Sequence, residues 1–459
     1  MMISILFVSF FILMAVGVPI AFTLAISTWL AVILGSRYPQ IVVIKEMFSG
    51  VDSFPLLAVP FFILAAELMT GGALTHHLLR LAAQFVGRAR GGLGYASIIS
   101  TTLFAGISGS ALAAAAGPGA MTIRMMEKSG YEKRYASALA AAVAIVDPII
   151  PPSITMIIYA LQDNRVSVGG LFVAGVIPGL LISAAMCLVN FYISRKRNYR
   201  SMDLRPTLAE MVRTTVYAMP AVALIVIVVG GIRAGYFTPT EASVIAVFYS
   251  LFCGMFIYRS LHMRDLPDII FRSAMITVGI LLILAAARAF AWVLIIEGVP
   301  QYMADLIISW NLSPIMFLLA VNVLLLLFGT FMDPLPGVMI LVPILAPIAF
   351  SLGIDPIHFA MIVILNLTIG LITPPVGQLL YVVSAAVRIR VSEISREMTP
   401  FLIAYVVILL VITFIPALST WLPRLTGFDL KRPDMTAATL GNQGRISPLK
   451  AQLFSEKHG

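Results

Sequence analysis

Two pairs of short segments decide the architecture: Gly106-Ile-Ser-Gly-Ser110 with Ile150-Pro-Pro-Ser153, and Gly329-Thr-Phe-Met-Asp333 with Thr373-Pro-Pro-Val376. From Gly106 to Pro151 is 45 positions, and from Gly329 to Pro374 is again 45, so the two copies stand 223 residues apart. A Pro-Pro pair or a glycine in an apolar stretch is usually a kink in an ordinary membrane helix. Two such pairs at one spacing, each in the middle of a long apolar block, mark an internal repeat of interrupted helices. Flanking sequence follows it: Ile63-Leu64-Ala65-Ala66 is echoed by Ile283-Leu284-Ala285-Ala286.

The rest of the chain supplies the solvent for these breaks. Of 459 residues, 60% are hydrophobic and only 11% charged, with a mean hydropathy of +1.01. Soluble domains run near 25% charged, so the main solvent here is lipid. The net charge of +9 does not indicate nucleic acid, because the basic residues lie in short loops between apolar blocks, as positive-inside topology requires. Cys187 and Cys253 lie in apolar blocks and give no disulfide framework. His76, His77, His262, His358 and His458 have no metal-ligand spacing, and no Walker-type loop is present.

Residues 1–424 read as one membrane domain, with repeats at about 1–200 and 205–424, followed by a polar, loosely ordered tail at 425–459. No Lys or Arg precedes Arg37, so the first block lacks a signal-peptide n-region and reads as retained. That block, Ile3–Leu34, exceeds one span and is expected to break at Gly17-Val18-Pro19. Lys and Arg concentrate in loops 76–90, 124–134, 195–205, 259–272 and 388–397, whereas 37–52, 162–168, 233–240 and 297–312 carry few. Placing the basic set in the cytoplasm requires blocks 92–123 and 313–350 each to enter and leave on one side. Both are therefore expected to be re-entrant hairpins, the first opening inward and the second outward.

An interrupted membrane helix leaves backbone N–H and C=O groups that cost several kcal/mol each unless something binds them. Pro151, Pro152, Pro374 and Pro375 lack N–H donors and free carbonyls one turn earlier. Carbonyls and Ser or Thr hydroxyls are hard oxygen ligands suited to Na⁺, and half-helix N-termini suit an anion. The fold class expected is an all-α polytopic membrane protein, an inverted repeat with two re-entrant hairpins and discontinuous helices, of the kind secondary transporters use.

With those residues in hand, the chain resembles the large (DctM-like) permease subunit of TRAP transporters. The matching stretches are Gly106–Ala115, Pro148–Ser153, Leu171–Gly179, Phe237–Ala242, Gly353–Phe359 and Gly370–Gly377. The resemblance implies no enzyme and no cofactor, but an elevator-type, Na⁺-driven carrier of organic acids in the bacterial inner membrane. Its partners would be a small four-helix membrane subunit and a periplasmic substrate-binding protein. It implies sodium ligands at Gly106, Ser108 and Ser110 with Ile149, Pro151 and Ser153, and at Gly329, Thr330 and Asp333 with Gly370, Thr373 and Val376. Solute would meet Ser108, Gly109, Ser110, Pro152, Met332, Asp333 and Pro375.

The chain departs from the family pattern at Asp147, where a small residue is expected, at Gly117-Pro118-Gly119, at Ala360 and in its longer tail. Asp147 is open to three readings: an added ion ligand, a proton site or a structural substitution. Glu67 and Arg288 are intramembrane charges, read as functional or as pairs and snorkelling ends. A self-sufficient Na⁺/dicarboxylate symporter of related architecture is the alternative within transport. An intramembrane aspartyl enzyme using Asp147 and Asp333 is the alternative outside it.

Overall fold

The computed structural model describes residues 1–428 except 37, 72–73, 200–206 and 310–311; the side chains of 74–76, 107–108, 304 and 307–308 are likewise not described. The basic loop 195–205 is thus described only to Tyr199, and the tail beyond Phe428 lies outside the described residues.

The first block breaks where expected. Helix α1 (Met2–Ala15) ends at Gly17, whose φ of +87° stops the helix at no Cβ cost, and α2 (Ile20–Gly35) starts behind Pro19. Two further helices, α3 (Ile41–Val51) and α4 (Ala58–Gly71), lead to α5 (Leu74–Val86). The first hairpin rises as α6 (Gly92–Ser108), turns at Gly109 and Ser110, and returns through α7 (Ala111–Ala114), a π-helical turn at Ala115–Gly119 and α8 (Ala120–Lys128). That π turn holds Pro118, the break foreseen at Gly117-Pro118-Gly119. An interrupted helix follows as α9 (Lys133–Ala144) and α10 (Ile154–Gln162), then the long α11 (Val168–Lys196).

The second half runs α12 (Leu208–Arg233), α13 (Pro239–Phe252), α14 (Leu266–Ile296) and α15 (Val299–Ser309). Its hairpin is α16 (Pro314–Gly329) and α17 (Pro334–Ser351). The second interrupted helix is α18 (Pro356–Gly370) and α19 (Gln378–Val387), followed by α20 (Val391–Phe414) and α21 (Ala417–Leu425). The repeat is exact in register at three points. Ala111, Lys133 and Val168 open helices whose counterparts open at Pro334, Pro356 and Val391, 223 residues later each time.

Contacts at their roots make both hairpins re-entrant. Asn190, near the C-terminal end of α11, donates to the Gly91 carbonyl at the entry of hairpin 1 (3.2 Å). Just past its exit, Tyr131 stacks on Tyr199 with ring centroids 4.3 Å apart. Both ends of hairpin 1 therefore lie at the same end of α11. Hairpin 2 roots at the other: Phe317 stacks on Phe359 at 6.2 Å, and Arg165, just before α11, covers the Phe350 ring at 4.8 Å. With about 43 Å of helix between the two roots, the hairpins open to opposite ends of the molecule.

Among the described residues seven helices are long and apolar enough to cross a membrane, and the shorter apolar ones include half-helices of the breaks. The discontinuous helices form the centre: every residue of Tyr135–Ala144 and of Ile357–Gly370 is buried. Alanine at six of the ten positions of the first stretch lets its neighbours approach closely.

Loops 37–52, 76–90 and 297–312 are corrected. They contain helices α3, α5 and α15, whose mixed charged and apolar faces do not span but lie against the long helices. Helix α3 also accounts for Arg288, which packs its Cβ beside Gly50 and approaches Glu46 at 3.9 Å. Glu67 approaches Arg272 at 3.7 Å. Each of these intramembrane charges thus faces an opposite charge on a neighbouring helix. Single cysteines replacing Lys128 and Asn164, with Cys187 and Cys253 removed, are expected to react with impermeant maleimide from opposite membrane faces. Labelling of both from one face would break the hairpin topology.

Candidate functional site

At each break the helix unwinds beside a hairpin tip, and glycine makes the approach possible. Gly109, with φ +64°, lies so close to the first break that an added Cβ would be 2.6 Å from the Pro152 carbonyl oxygen. A Cβ on Gly370 would stand 2.2 Å from the Gly329 carbonyl carbon, so tip and break touch backbone to backbone in the second half. Both Pro–Pro bonds, 151–152 and 374–375, are cis. The halves also cross: α10 of the first break packs on α17, and α19 of the second packs on α7 and the π turn of hairpin 1. Breaks and tips thus surround one central region.

The polar groups are distributed differently in the two halves. In the first, the Ser110 N–H donates to Asp147 Oδ2, a carboxylate with no solvent exposure. Ser153 donates to the Pro148 carbonyl (2.6 Å) and accepts from Met156 N, capping α10. In the second, Asp333 caps α17 by accepting from Leu335 N (3.0 Å), and Thr373 donates to the Ile369 carbonyl (2.9 Å). The Thr330 carbonyl accepts from Gly377 N (3.0 Å) and the Phe331 carbonyl from Gln378 Nε2 (3.2 Å), tying tip to break.

Applying the 223-residue offset pairs Asp147 with Gly370 and Ser110 with Asp333. Each half carries one acid, delivered by the break in the first and by the hairpin in the second. Asp147 stands out in sequence only as a departure; its bond to the hairpin is a tertiary fact.

The structure brings Gly109, Ser110, Asp147, Pro152 and Ser153 together at one junction, and Gly329, Thr330 and Gly370 at the other, with Asp333 and Met332 on the tip and Thr373, Pro375 and Val376 on the break. Two predicted residues also touch helices outside the junction. A Cβ on Gly106 would meet Ile225 of α12 at 2.8 Å, so the lack of a side chain there lets α6 and α12 approach closely. The Ile149 carbonyl presses on α11, 2.0 Å from where a Cβ on Gly175 would be. The side chain of Ser108 lies outside the described residues. Gly175, Gly377 and Gln378 were missed as junction residues, although Gly175 and Gly377 fall inside the motif stretches. Phe237–Ala242 proves to be a capping box, Thr238 with Glu241, and not a part of this site.

Access is uneven. Pro151, Pro152 and Ser153 are buried, whereas Pro374 and Pro375 are exposed. A groove of about 280 Å³ follows hairpin 1's returning arm past Ala116, Gly117, Ala120, Met121 and Arg124 to Lys128.

Hairpins and broken helices in inverted copies, closing on one central region, define a secondary-transporter permease rather than an enzyme. The chain belongs to the family described as the tripartite ATP-independent periplasmic transporter, DctM component, whose model matches residues 7–418. It is 40% identical over 384 residues to the C4-dicarboxylate TRAP transporter large permease protein DctM of Pseudomonas aeruginosa, covering 84% of this chain and 90% of that one. It is 36% identical over 413 residues to the sialic acid TRAP transporter large permease protein SiaM of Vibrio cholerae, covering 90% and 96%. The fold is shared with the YdaH transporter of Alcanivorax borkumensis, with a TM-score of 0.58 at 14% identity over 84% of this chain and 88% of that chain.

Proposed function

We propose that this permease imports an organic anion by an elevator movement driven by a Na⁺ gradient, as the large subunit of a complex in the bacterial inner membrane. A small membrane subunit and a periplasmic binding protein would complete that complex. The observation that carries the reading is the pair of junctions where a glycine-bearing hairpin tip meets a Pro-Pro break. Each gathers main-chain carbonyls, a carboxylate and a Ser or Thr hydroxyl, a hard-oxygen set that suits a small cation.

The anionic solute follows from relatives whose names carry C4-dicarboxylate and sialic acid, and from the exposed groove that leads past the cations Arg124 and Lys128. In this reading Ser110, Pro152, Met332 and Pro375 face the solute, while the Asp333 carboxylate and carbonyls of Pro151, Gly329, Thr330, Gly370, Thr373 and Val376 contribute to the ion shells. The family description, a tripartite periplasmic transporter, supports the two partners.

The test is uptake by proteoliposomes. Solute accumulation is expected only with the small subunit, the binding protein and an inward sodium gradient together. Robust uptake by this chain alone would favour the self-sufficient symporter. Uptake indifferent to sodium but driven by a proton gradient would remove Na⁺ from the mechanism.

A further inference from the structure

A cleft away from the hairpin junctions lies between the first turn of α9 and the turn joining α19 to α20. It encloses about 650 Å³, with Lys133, Arg134, Arg388 and Arg390 on its walls against Glu132 and Glu393. Part of this charge is already committed. Glu132 accepts from Arg134 at 2.5 Å and approaches Arg197 at 3.3 Å, Arg134 also reaches Glu397 at 3.3 Å, and Lys133 approaches Glu127 at 3.8 Å. Arg388 and Arg390, both exposed, form no ion pair among the described residues.

The turn that carries Arg388 is a built one. Its φ of +53° is a conformation that favours glycine at a helix C-terminus. It is held from both sides, because the Ile389 N–H donates to the Ser384 carbonyl (3.2 Å) and the Ser384 hydroxyl donates to the Ile389 carbonyl (2.5 Å).

The internal repeat shows what this arginine lacks. The residue 223 positions before Arg388 is Arg165, which Asp163 clasps with contacts of 2.6 and 3.2 Å. The position matching Asp163 is Ala386. The second copy keeps the arginine, loses its carboxylate and opens onto a cleft with a second unengaged arginine. Guanidinium groups bind phosphate by paired hydrogen bonds, and basic pockets at the cytoplasmic ends of membrane helices take phospholipid headgroups. This end of the molecule holds the basic loops. The cleft is also distinct from the ion and solute region, since the 10 residues of α19 put about 15 Å between Arg388 and the second break.

We propose that this cleft is a phosphate site in which Arg388 and Arg390 are the donors, and that an anionic phospholipid of the adjoining leaflet fills it. The test uses the full chain in nanodiscs holding equal phosphatidylglycerol and phosphatidylcholine, with retained lipid read by native mass spectrometry. Wild type is expected to retain phosphatidylglycerol in excess. Arg388→Gly, which suits the backbone at that position, and Arg390→Gln should each reduce that excess about fivefold. Ala386→Asp should reduce it too, although it removes no cation, because it restores the clasp that Arg165 has. A thermal-shift titration with inorganic phosphate separates the sources. Stabilisation by millimolar phosphate that the variants lose, with no lipid preference, would keep the phosphate site and overturn the lipid as its occupant. Equal lipid retention in wild type and all variants, together with no phosphate response, would overturn the site.

Discussion

Gly370→Ala and Gly175→Ala are expected to abolish transport and to lower the melting temperature of the purified permease. The new Cβ of the first would stand 2.2 Å from the Gly329 carbonyl carbon, and that of the second 2.0 Å from the Ile149 carbonyl oxygen. Both obstacles are backbone, so no rotamer change can yield the space. Tip and break, or break and α11, must separate by an ångström or more. Overpacking of this kind typically costs about 1–3 kcal/mol and more where backbone must move, and here it also displaces the carbonyls that the junction needs. Gly230→Ala and Gly279→Ala are the controls. Each lies in a helix interior with ordinary φ and nothing within 4 Å of the added atom, so each should be neutral or slightly stabilising. Sodium-dependent uptake and a thermal melt of all four variants check this. Wild-type activity in Gly370→Ala would mean that the hairpin and the break do not have to touch.

The contrast between these glycines also separates what is legible in the sequence from what is not. The equal spacing of glycine tip and Pro-Pro pair in the two halves exposes the repeat, because a broken helix must be punctuated at the break itself. The charge map then orients the hairpins, since moving cations across a membrane is costly. Helices α3, α5 and α15 escape that reading because it tests only whether a segment can span. A half-polar helix lying along the scaffold looks like a loop to it. Glycine function is illegible for another reason: Gly230 and Gly370 have the same local appearance, and only the neighbour across the interface distinguishes them. The same holds for Gly106, whose missing side chain leaves room for Ile225 of α12. Asp147 is the sharpest case. In sequence it is an oddity before a proline, and its acceptor role depends on a hairpin tip 37 residues earlier.

That role leads to the second large effect. Asp147→Gly places in the first break the residue that its counterpart Gly370 supplies in the second, and it leaves the Ser110 N–H without its charged acceptor. A hydrogen bond to a charged group is worth about 1.5–3 kcal/mol. If the junction forms an ion shell, the apparent sodium affinity in proteoliposomes should fall by roughly tenfold to a hundredfold. The second half indicates how to repair the damage, because there the acid sits on the hairpin as Asp333, at the position of Ser110. Adding Ser110→Asp to Asp147→Gly transposes the carboxylate from break to tip and makes the first junction resemble the second. The double variant should recover most of the lost sodium affinity, whereas Ser110→Asp alone crowds two carboxylates and should be as impaired as Asp147→Gly. A purely structural Asp147 would give a different pattern: both variants would melt early, and the sodium midpoint of the surviving protein would be unchanged. Sodium titrations of uptake at fixed solute and binding protein, with melting curves beside them, distinguish the two. If the double variant is no better than Asp147→Gly in either measurement, the two junctions do not share one ion-binding plan.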